Sequence, residues 1–257
     1  MEPQTVLVTG GAGFIGSHTC VELLDAGNDV VVIDDYSNSH RSALDRVRRI
    51  TGKSMAVYDL DLRDRAALSA VFDAHPIDAV IHFAAKKAVG ESTRIPLEYF
   101  DINVGGTTSL MLTMRQHQVS RLVFSSSCSI YGDTDAVPLG ESAPANPTNP
   151  YALSKWTCEQ LLGEACRRIP DLSVIALRYF NPIGAHPSGL LGEDPLGVPN
   201  NVMPYLAQIA VGRLTELSVF GGDNPTPDGT AIRDYIHVVD VADAHRMALS
   251  HLPDESG

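Results

Sequence analysis

The sequence predicts an α/β protein: a doubly wound parallel sheet followed by a smaller C-terminal domain. Three observations carry this. Short apolar runs alternate with segments of helical period over the first two thirds of the chain, the pattern of strands buried on both faces beneath helices. The first run, Val6-Leu7-Val8-Thr9, stops at Gly10, Gly11, Gly13 and Gly16 before a helical segment opens. After Tyr179 the alternation ends and a stretch rich in Gly and Pro begins.

Taken in order, strands are expected at Val6–Thr9, Val30–Ile33, Met55–Tyr58, Ala79–Phe83, Leu122–Ser125 and Val174–Arg178. Between them, helices are expected at Ile15–Ala26, Ser42–Ile50, Arg65–His75, Pro96–His117 and Tyr151–Arg168. Residues 181–201 read as a long loop. A helix (Met203–Gly212), a strand (Leu217–Phe220), a turn, a strand (Asp234–Val238) and a helix (Val241–His251) follow. The domain division is therefore 1–180 for dinucleotide binding and 181–257 for a partial substrate domain.

Gly11, Gly13 and Gly16 fit G-x-G-x-x-G, and Gly10, Gly13 and Gly16 fit G-x-x-G-x-x-G. Between a strand and a helix, such glycines allow a tight turn, close approach of a pyrophosphate and close helix–strand packing. The helix start, with Phe14 and Ile15, offers free N–H groups to the phosphates. This is the Rossmann-type arrangement. Asp34 ends the second apolar run about 20 residues later, where an acid holds the adenosine ribose diol and disfavours NADP. NAD is therefore the expected cofactor. Arg41 keeps the alternative open, because an arginine nearby can accept a 2′-phosphate.

Composition narrows the class. The chain has 257 residues, 44% hydrophobic and 19% charged, with a net charge of −12. Such a charge disfavours nucleic acid. No apolar run approaches membrane-spanning length, and a strand by Thr5 leaves no room for a signal peptide. Cys20, Cys128, Cys158 and Cys166 form no C-x-x-C pair and read as reduced thiols of a cytoplasmic protein, with no metal site expected.

Tyr151-Ala152-Leu153-Ser154-Lys155 opens a helix after a Pro-rich loop. The i, i+4 spacing puts Tyr151 and Lys155 on one face. An ammonium beside a phenol favours the phenolate, so Tyr151 can act as a general base. The strand end Ser125-Ser126-Ser127 can donate to a sugar hydroxyl or to the tyrosine. No G-x-S-x-G elbow is present, which argues against a nucleophilic serine.

Together, the glycine turn, Y-x-x-x-K and the serine strand end resemble the extended short-chain dehydrogenase/reductase superfamily. Within it, His82-Phe83-Ala84-Ala85, Lys87-Ala88-Val89-Gly90-Glu91-Ser92, Arg178-Tyr179-Phe180-Asn181-Pro182, Gly184-Ala185-His186-Pro187-Ser188-Gly189 and Arg233-Asp234-Tyr235-Ile236-His237-Val238 resemble the UDP-glucose 4-epimerase family. The resemblance implies interconversion of UDP-glucose and UDP-galactose through a 4-keto sugar with tightly bound NAD. It implies Tyr151 as acid/base, Lys155 as its helper and Ser127 as positioner of the hydroxyl. It places Gly10, Gly13, Phe14, Ile15, Gly16, Asp34, Asn38, Ser39, Asp61, Leu62, Phe83, Ala84, Lys87, Asn103 and Phe180 around NAD, with Tyr151 and Lys155. For the UDP-sugar it implies Asn181, Asn201, Phe220 and Arg233 beside Ser127 and Tyr151. A homodimer through the helices at Pro96–His117 and Tyr151–Arg168 is also implied.

Two departures stand out. Ala85-Lys86 replaces a common Gly-Leu. The sequence also stops at Gly257 where family members continue, so a truncated substrate domain is expected, with NAD binding better preserved than sugar-nucleotide binding. Two rival functions remain. A nucleotide-sugar 4,6-dehydratase needs an Asp-Glu pair where Cys128 and Ser129 stand. A non-catalytic NAD-binding scaffold usually lacks the tyrosine or the lysine, and both are present.

Overall fold

The computed structural model describes residues 3–134, 137–196, 199, 201–219 and 221–253. Its first half alternates strand and helix: β1 (Thr5–Thr9), α1 (Phe14–Asp25), β2 (Asp29–Asp34), α2 (Arg41–Thr51), β3 (Ala56–Asp59), α3 (Arg65–Ala74) and β4 (Ala79–His82). Then come short helices α4 (Val89–Ser92) and α5 (Pro96–Tyr99), a π-helical turn (Phe100–Gly105) and α6 (Gly106–Gln116). β5 (Arg121–Ser125), a 3₁₀ turn (Cys128–Tyr131), α7 (Pro150–Arg168) and β6 (Ser173–Leu177) complete the sheet. β7 (Asn181–Ile183), α8 (Val202–Ala210), β8 (Tyr235–His237) and α9 (Val238–His251) follow.

Six strands form one parallel sheet in the order β3-β2-β1-β4-β5-β6. Strand alternation sends neighbouring residues to opposite faces. Val6, Val8, Val30, Val32, Ile81 and Val123 pack with α1, α2 and the end of α9. Leu7, Val31, Ile33, Val80, Leu122 and Phe124 pack with α3, α6 and α7. The expected doubly wound parallel sheet is therefore present, with a core on each side. A separate parallel pair, β7 and β8, lies outside it.

Local chemistry accounts for the element ends. Asn149 caps α7 by accepting the Ala152 N–H at 2.9 Å, with Pro150 in the first turn. Asp64 caps α3 in the same way. Buried Arg121 on β5 donates to the carbonyls of Leu249 and Leu252, at 3.0 and 3.3 Å, satisfying the end of α9. That contact ties the last helix to the main sheet.

Three expectations need correction. The helix over Pro96–His117 is interrupted by the π-helical turn, although Tyr99, Phe100, Gly105 and Gly106 keep right-handed helical dihedrals. The long loop after Tyr179 contains β7, which Pro182 hid by removing one ladder donor. The expected strand Leu217–Phe220 is absent over its described part: residues 217–219 pair with no other described strand. Phe220 itself lies outside the described residues.

His82 and His245 are fully buried. The Thr107 hydroxyl donates to Asn103 O at 2.6 Å, so it accepts from His82 Nε2 at 3.0 Å. His82 Nδ1 then accepts from Thr9 Oγ1 at 2.7 Å, which makes the ring neutral. His245 Nδ1 bonds Val241 O at 2.7 Å. Burial pulls His82 down to about 3 and His245 down to about 4. Because these values lie below the ordinary one, the unfolded chain takes up protons first as pH falls. Each ring should cost about 1.4 kcal/mol of stability per pH unit below about 6.5, until its folded value is reached. Urea unfolding at pH 5.5 should therefore give a lower stability than at pH 7.5, by about 2–3 kcal/mol for the two rings. Equal stabilities would contradict the neutral, buried assignment.

Candidate active site

Parallel pairing brings the carboxyl ends of β1, β4 and β5 side by side, with Thr9 beside His82 and His82 beside Phe124. Ligands in such sheets bind beyond this edge. A cleft of ≈ 360 Å³ opens there, lined from the glycine turn at one end to Asn181 and Asn201 at the other.

The glycine turn forms the cleft floor. Gly10 has φ +70°, and a Cβ on it would lie 2.7 Å from Ala84 N. A Cβ on Gly16 would lie 2.2 Å from Gly10 O. The backbone is thus packed to a distance that only glycine permits. Gly13 is the N-cap of α1 and offers no side-chain acceptor. The first N–H groups of this 12-residue helix are left for an anion, as a pyrophosphate requires.

Asp34 lies at the end of β2 and is buried. It accepts from Ala12 N at 2.9 Å, Tyr36 N at 2.9 Å and Ser39 Oγ at 2.7 Å. Burial raises its carboxyl above the usual range, while these bonds oppose the shift. A carboxylate has about four acceptor positions, so capacity remains for a ribose hydroxyl. Arg41 is engaged elsewhere, 4.1 Å from the Tyr36 ring centroid and paired with Asp59, and it is not part of the cleft wall.

Phe14, Ile15, Asn38, Ser39, Asp61, Leu62, Phe83, Ala84, Lys87 and Phe180 all line the cleft. Asp61 is held well below the ordinary carboxylate range by the Arg63 guanidinium. Asn103 does not line the cleft. It is buried behind it, where its side chain bonds Lys86 N at 2.8 Å, Lys86 O at 3.0 Å and Ser154 Oγ at 2.9 Å. The glycine cradle, the free helix start and the acid at the ribose end fit NAD.

Tyr151 and Lys155 project from the first turns of α7, and Ser127 sits just past β5. All three line the cleft. Lys155 is buried and its ammonium donates to Ser125 O at 2.8 Å, 4.9 Å from the Phe124 ring centroid. Burial pulls Lys155 down to about 8. Burial raises the Tyr151 phenol, and the influence that opposes it is the hydrogen bond with Ser127. One N–H of the Lys155 ammonium is held by the strand end at Ser125 O, which leaves two donors. Tyr179, part of the Arg178–Pro182 motif but given no role from sequence, also lines the cleft and bonds Ser125 Oγ at 2.5 Å.

The substrate residues are less gathered. Asn181 and Asn201 line the cleft. Asn181 Nδ2 donates to Asp234 O at 2.9 Å. Asn201 donates to Glu193 at 2.9 Å, and Lys87 pairs with the same carboxylate at 3.3 Å. Glu193 was not singled out from sequence; its place opposite Lys87, 106 residues away, has no local signal. Arg233 is exposed, does not line the cleft and donates to Ile232 O at 2.7 Å. Among the described residues, no His/Cys/Asp/Glu group has the geometry to hold a metal ion.

Comparison with known proteins extends this picture. Residues 6–256 match the model of the NAD dependent epimerase/dehydratase family. A UDP-glucose 4-epimerase of Bacillus subtilis is 54% identical over 254 residues, covering 99% of this chain and 75% of that protein. Another from Yersinia pestis is 53% identical over 253 residues, covering 98% and 75%. A UDP-glucose 4-epimerase of Bifidobacterium longum, solved with NAD+ and UDP, superposes with a TM-score of 0.95 at 51% identity, covering 97% of this chain and 75% of that one. With its glycine cradle, ribose acid and Tyr-Lys-Ser centre in one cleft, and a match that runs nearly end to end, the chain belongs to the NAD dependent epimerase/dehydratase family.

Proposed function

We propose that this protein is a UDP-glucose 4-epimerase, interconverting UDP-glucose and UDP-galactose. The observation that carries the reading is the convergence of Tyr151, Lys155 and Ser127 on a dinucleotide cleft, in a chain 54% identical to an enzyme of that activity. When bound, NAD supplies the group that takes hydrogen from C4 of the sugar and returns it, so that the sugar passes through a 4-ketone.

The chain's residues then do the following. Tyr151 takes the proton of the 4-hydroxyl and later gives it back, a general base and then a general acid. Ser127, which lines the cleft with Tyr151, bonds the sugar hydroxyl and aligns it. Lys155 holds a positive charge beneath the site and binds the ribose next to the nicotinamide. Tyr151 must lose its proton although burial holds it up, so it relies on these partners and on the positive ring of the oxidised cofactor. The ketone must present either face, which needs a firm hold on the nucleotide and a loose hold on the sugar. Asn181, Asn201, Phe220 and Arg233 are the proposed nucleotide contacts. Arg233 would have to swing inward from its exposed position to clamp a diphosphate.

Cys128 and Ser129 supply no carboxyl pair, which disfavours elimination across C5–C6. The proposal includes a homodimer. Leu110, Met111, Met114 and Leu162 are consumed by the core, whereas Leu97 and Leu153 remain exposed on α5 and α7 and are available to a second copy. It also includes a cytoplasmic setting, in keeping with four free cysteines. Among the described residues no helix is long and apolar enough to cross a membrane.

Tyr151→Phe should lower turnover of UDP-galactose by about 10²–10⁴-fold, while NAD recovered from the denatured protein stays at the parent level. Turnover near the parent rate would remove Tyr151 from the mechanism. Light scattering at micromolar concentration should give the mass of a dimer, and Leu153→Lys should shift it to a monomer; a monomeric parent would exclude the α5–α7 interface.

A further inference from the structure

Behind the catalytic residues lies a charged pair that the mechanism above does not use. Glu159 follows Lys155 by four residues on α7, one turn along the same face. Its side chain is only 8% exposed. Arg178, just past β6, grips it through Nε at 3.0 and 3.2 Å and through Nη2 at 2.6 Å. The same guanidinium donates to Tyr131 Oη at 2.8 Å and to Glu141 O at 3.0 Å. From the other side, the Ser126 hydroxyl donates to Glu159 Oε1. One carboxylate therefore joins α7, the turn after β5, the 3₁₀ turn and the end of β6. Those segments carry Tyr151 and Lys155, Ser127, and Tyr179.

Charge points the same way. The titratable groups facing Lys155 are Tyr151, Cys158 and Glu159 on α7, His82 on β4 and His245 on α9. Both rings are neutral at pH 7, drawn by burial to about 3 and about 4. Burial raises the Cys158 thiol, which stays protonated. Cys158 and then Glu159 raise the Lys155 value against burial, and Glu159 is the carboxylate of the two.

We propose that Glu159, held by Arg178, is a positioning residue of the catalytic centre: its carboxylate fixes the Ser125–Ser127 turn against α7 and supplies the negative charge opposite the Lys155 ammonium. The assignment rests on the proposed role of Lys155 in epimerisation.

Glu159→Gln keeps the shape and removes the charge, and two readouts separate the possibilities. The first is competitive labelling of Lys155 with acetic anhydride across a pH series, read by peptide mass, which needs no substrate. Its midpoint should fall. The second is steady-state turnover of UDP-galactose at pH 8, which should fall about 10- to 100-fold, with KM and bound NAD changed by no more than about twofold. Arg178→Lys keeps both charges but loses the forked grip, so turnover should fall while the labelling midpoint stays. An unchanged midpoint and parent-like turnover in Glu159→Gln would overturn the proposal. If that variant yields no folded protein, Arg178→Lys decides: loss of turnover with NAD retained supports it, and parent-like turnover overturns it. A shifted midpoint in a protein whose parent does not epimerise UDP-sugars would uphold the influence of Glu159 on Lys155 and remove the proposed function instead.

Discussion

The parallel register of β1, β4 and β5 is the constraint on which the site depends. It sets Thr9, His82 and Phe124 at one level, so that each strand releases its next residues onto the same edge. β1 delivers the glycine turn, β4 delivers Phe83 and Ala84, and β5 delivers Ser125 to Ser127. Gly10 must then pass close to Ala84, where a Cβ would lie 2.7 Å from the Ala84 nitrogen. The absence of a side chain there is thus a packing requirement of the sheet as well as a means of admitting a pyrophosphate. His82 beneath this edge stays neutral, bonded on both ring nitrogens to threonines, and leaves the positive charge of the centre to Lys155.

α7 contributes the other half of the centre, and its first turns are attached by polar contacts. Cys158 and Leu162 bury its middle against the sheet, but its first turns are fixed by hydrogen bonds. The Asn149 cap sets where the helix begins. The Lys155 ammonium reaches Ser125 O at 2.8 Å, and Ser154 links through Asn103 to the loop at Lys86. Such bonds are directional, so they define angle and height where apolar packing would define only distance. The proposed proton transfer needs that definition, because its reach is a hydrogen-bond length.

Legibility in the sequence followed the range over which each feature is built. The glycine turn, Asp34 and the Tyr151–Lys155 spacing are local patterns, and each lies in the cleft as read. The six strands of the main sheet were visible for the same reason: buried parallel strands are short apolar runs. Asn103 was read as a direct cofactor contact; it is buried behind the cleft wall and bonded to the Lys86 backbone. β7 escaped because a three-residue strand containing proline has no period. Leu217–Val219 had the composition of a strand but no described partner, and pairing is decided far along the chain. Glu193, Glu159 and Arg178 gained their places from contacts across 106 and 19 residues, which spacing in one sequence does not encode.

The proposed chemistry is confined to C4 of the sugar, with Tyr151 moving only the hydroxyl proton. UDP-galactose carrying deuterium at C4 tests this most directly. Conversion by the protein in ordinary water should give UDP-glucose with the deuterium still on C4, because that hydrogen leaves and returns as hydride without meeting solvent while the hydroxyl proton exchanges. UDP-glucose with C4 deuterium lost to solvent would mean that a side-chain base abstracts it as a proton, and would contradict the assigned roles of Tyr151, Lys155 and the dinucleotide cleft.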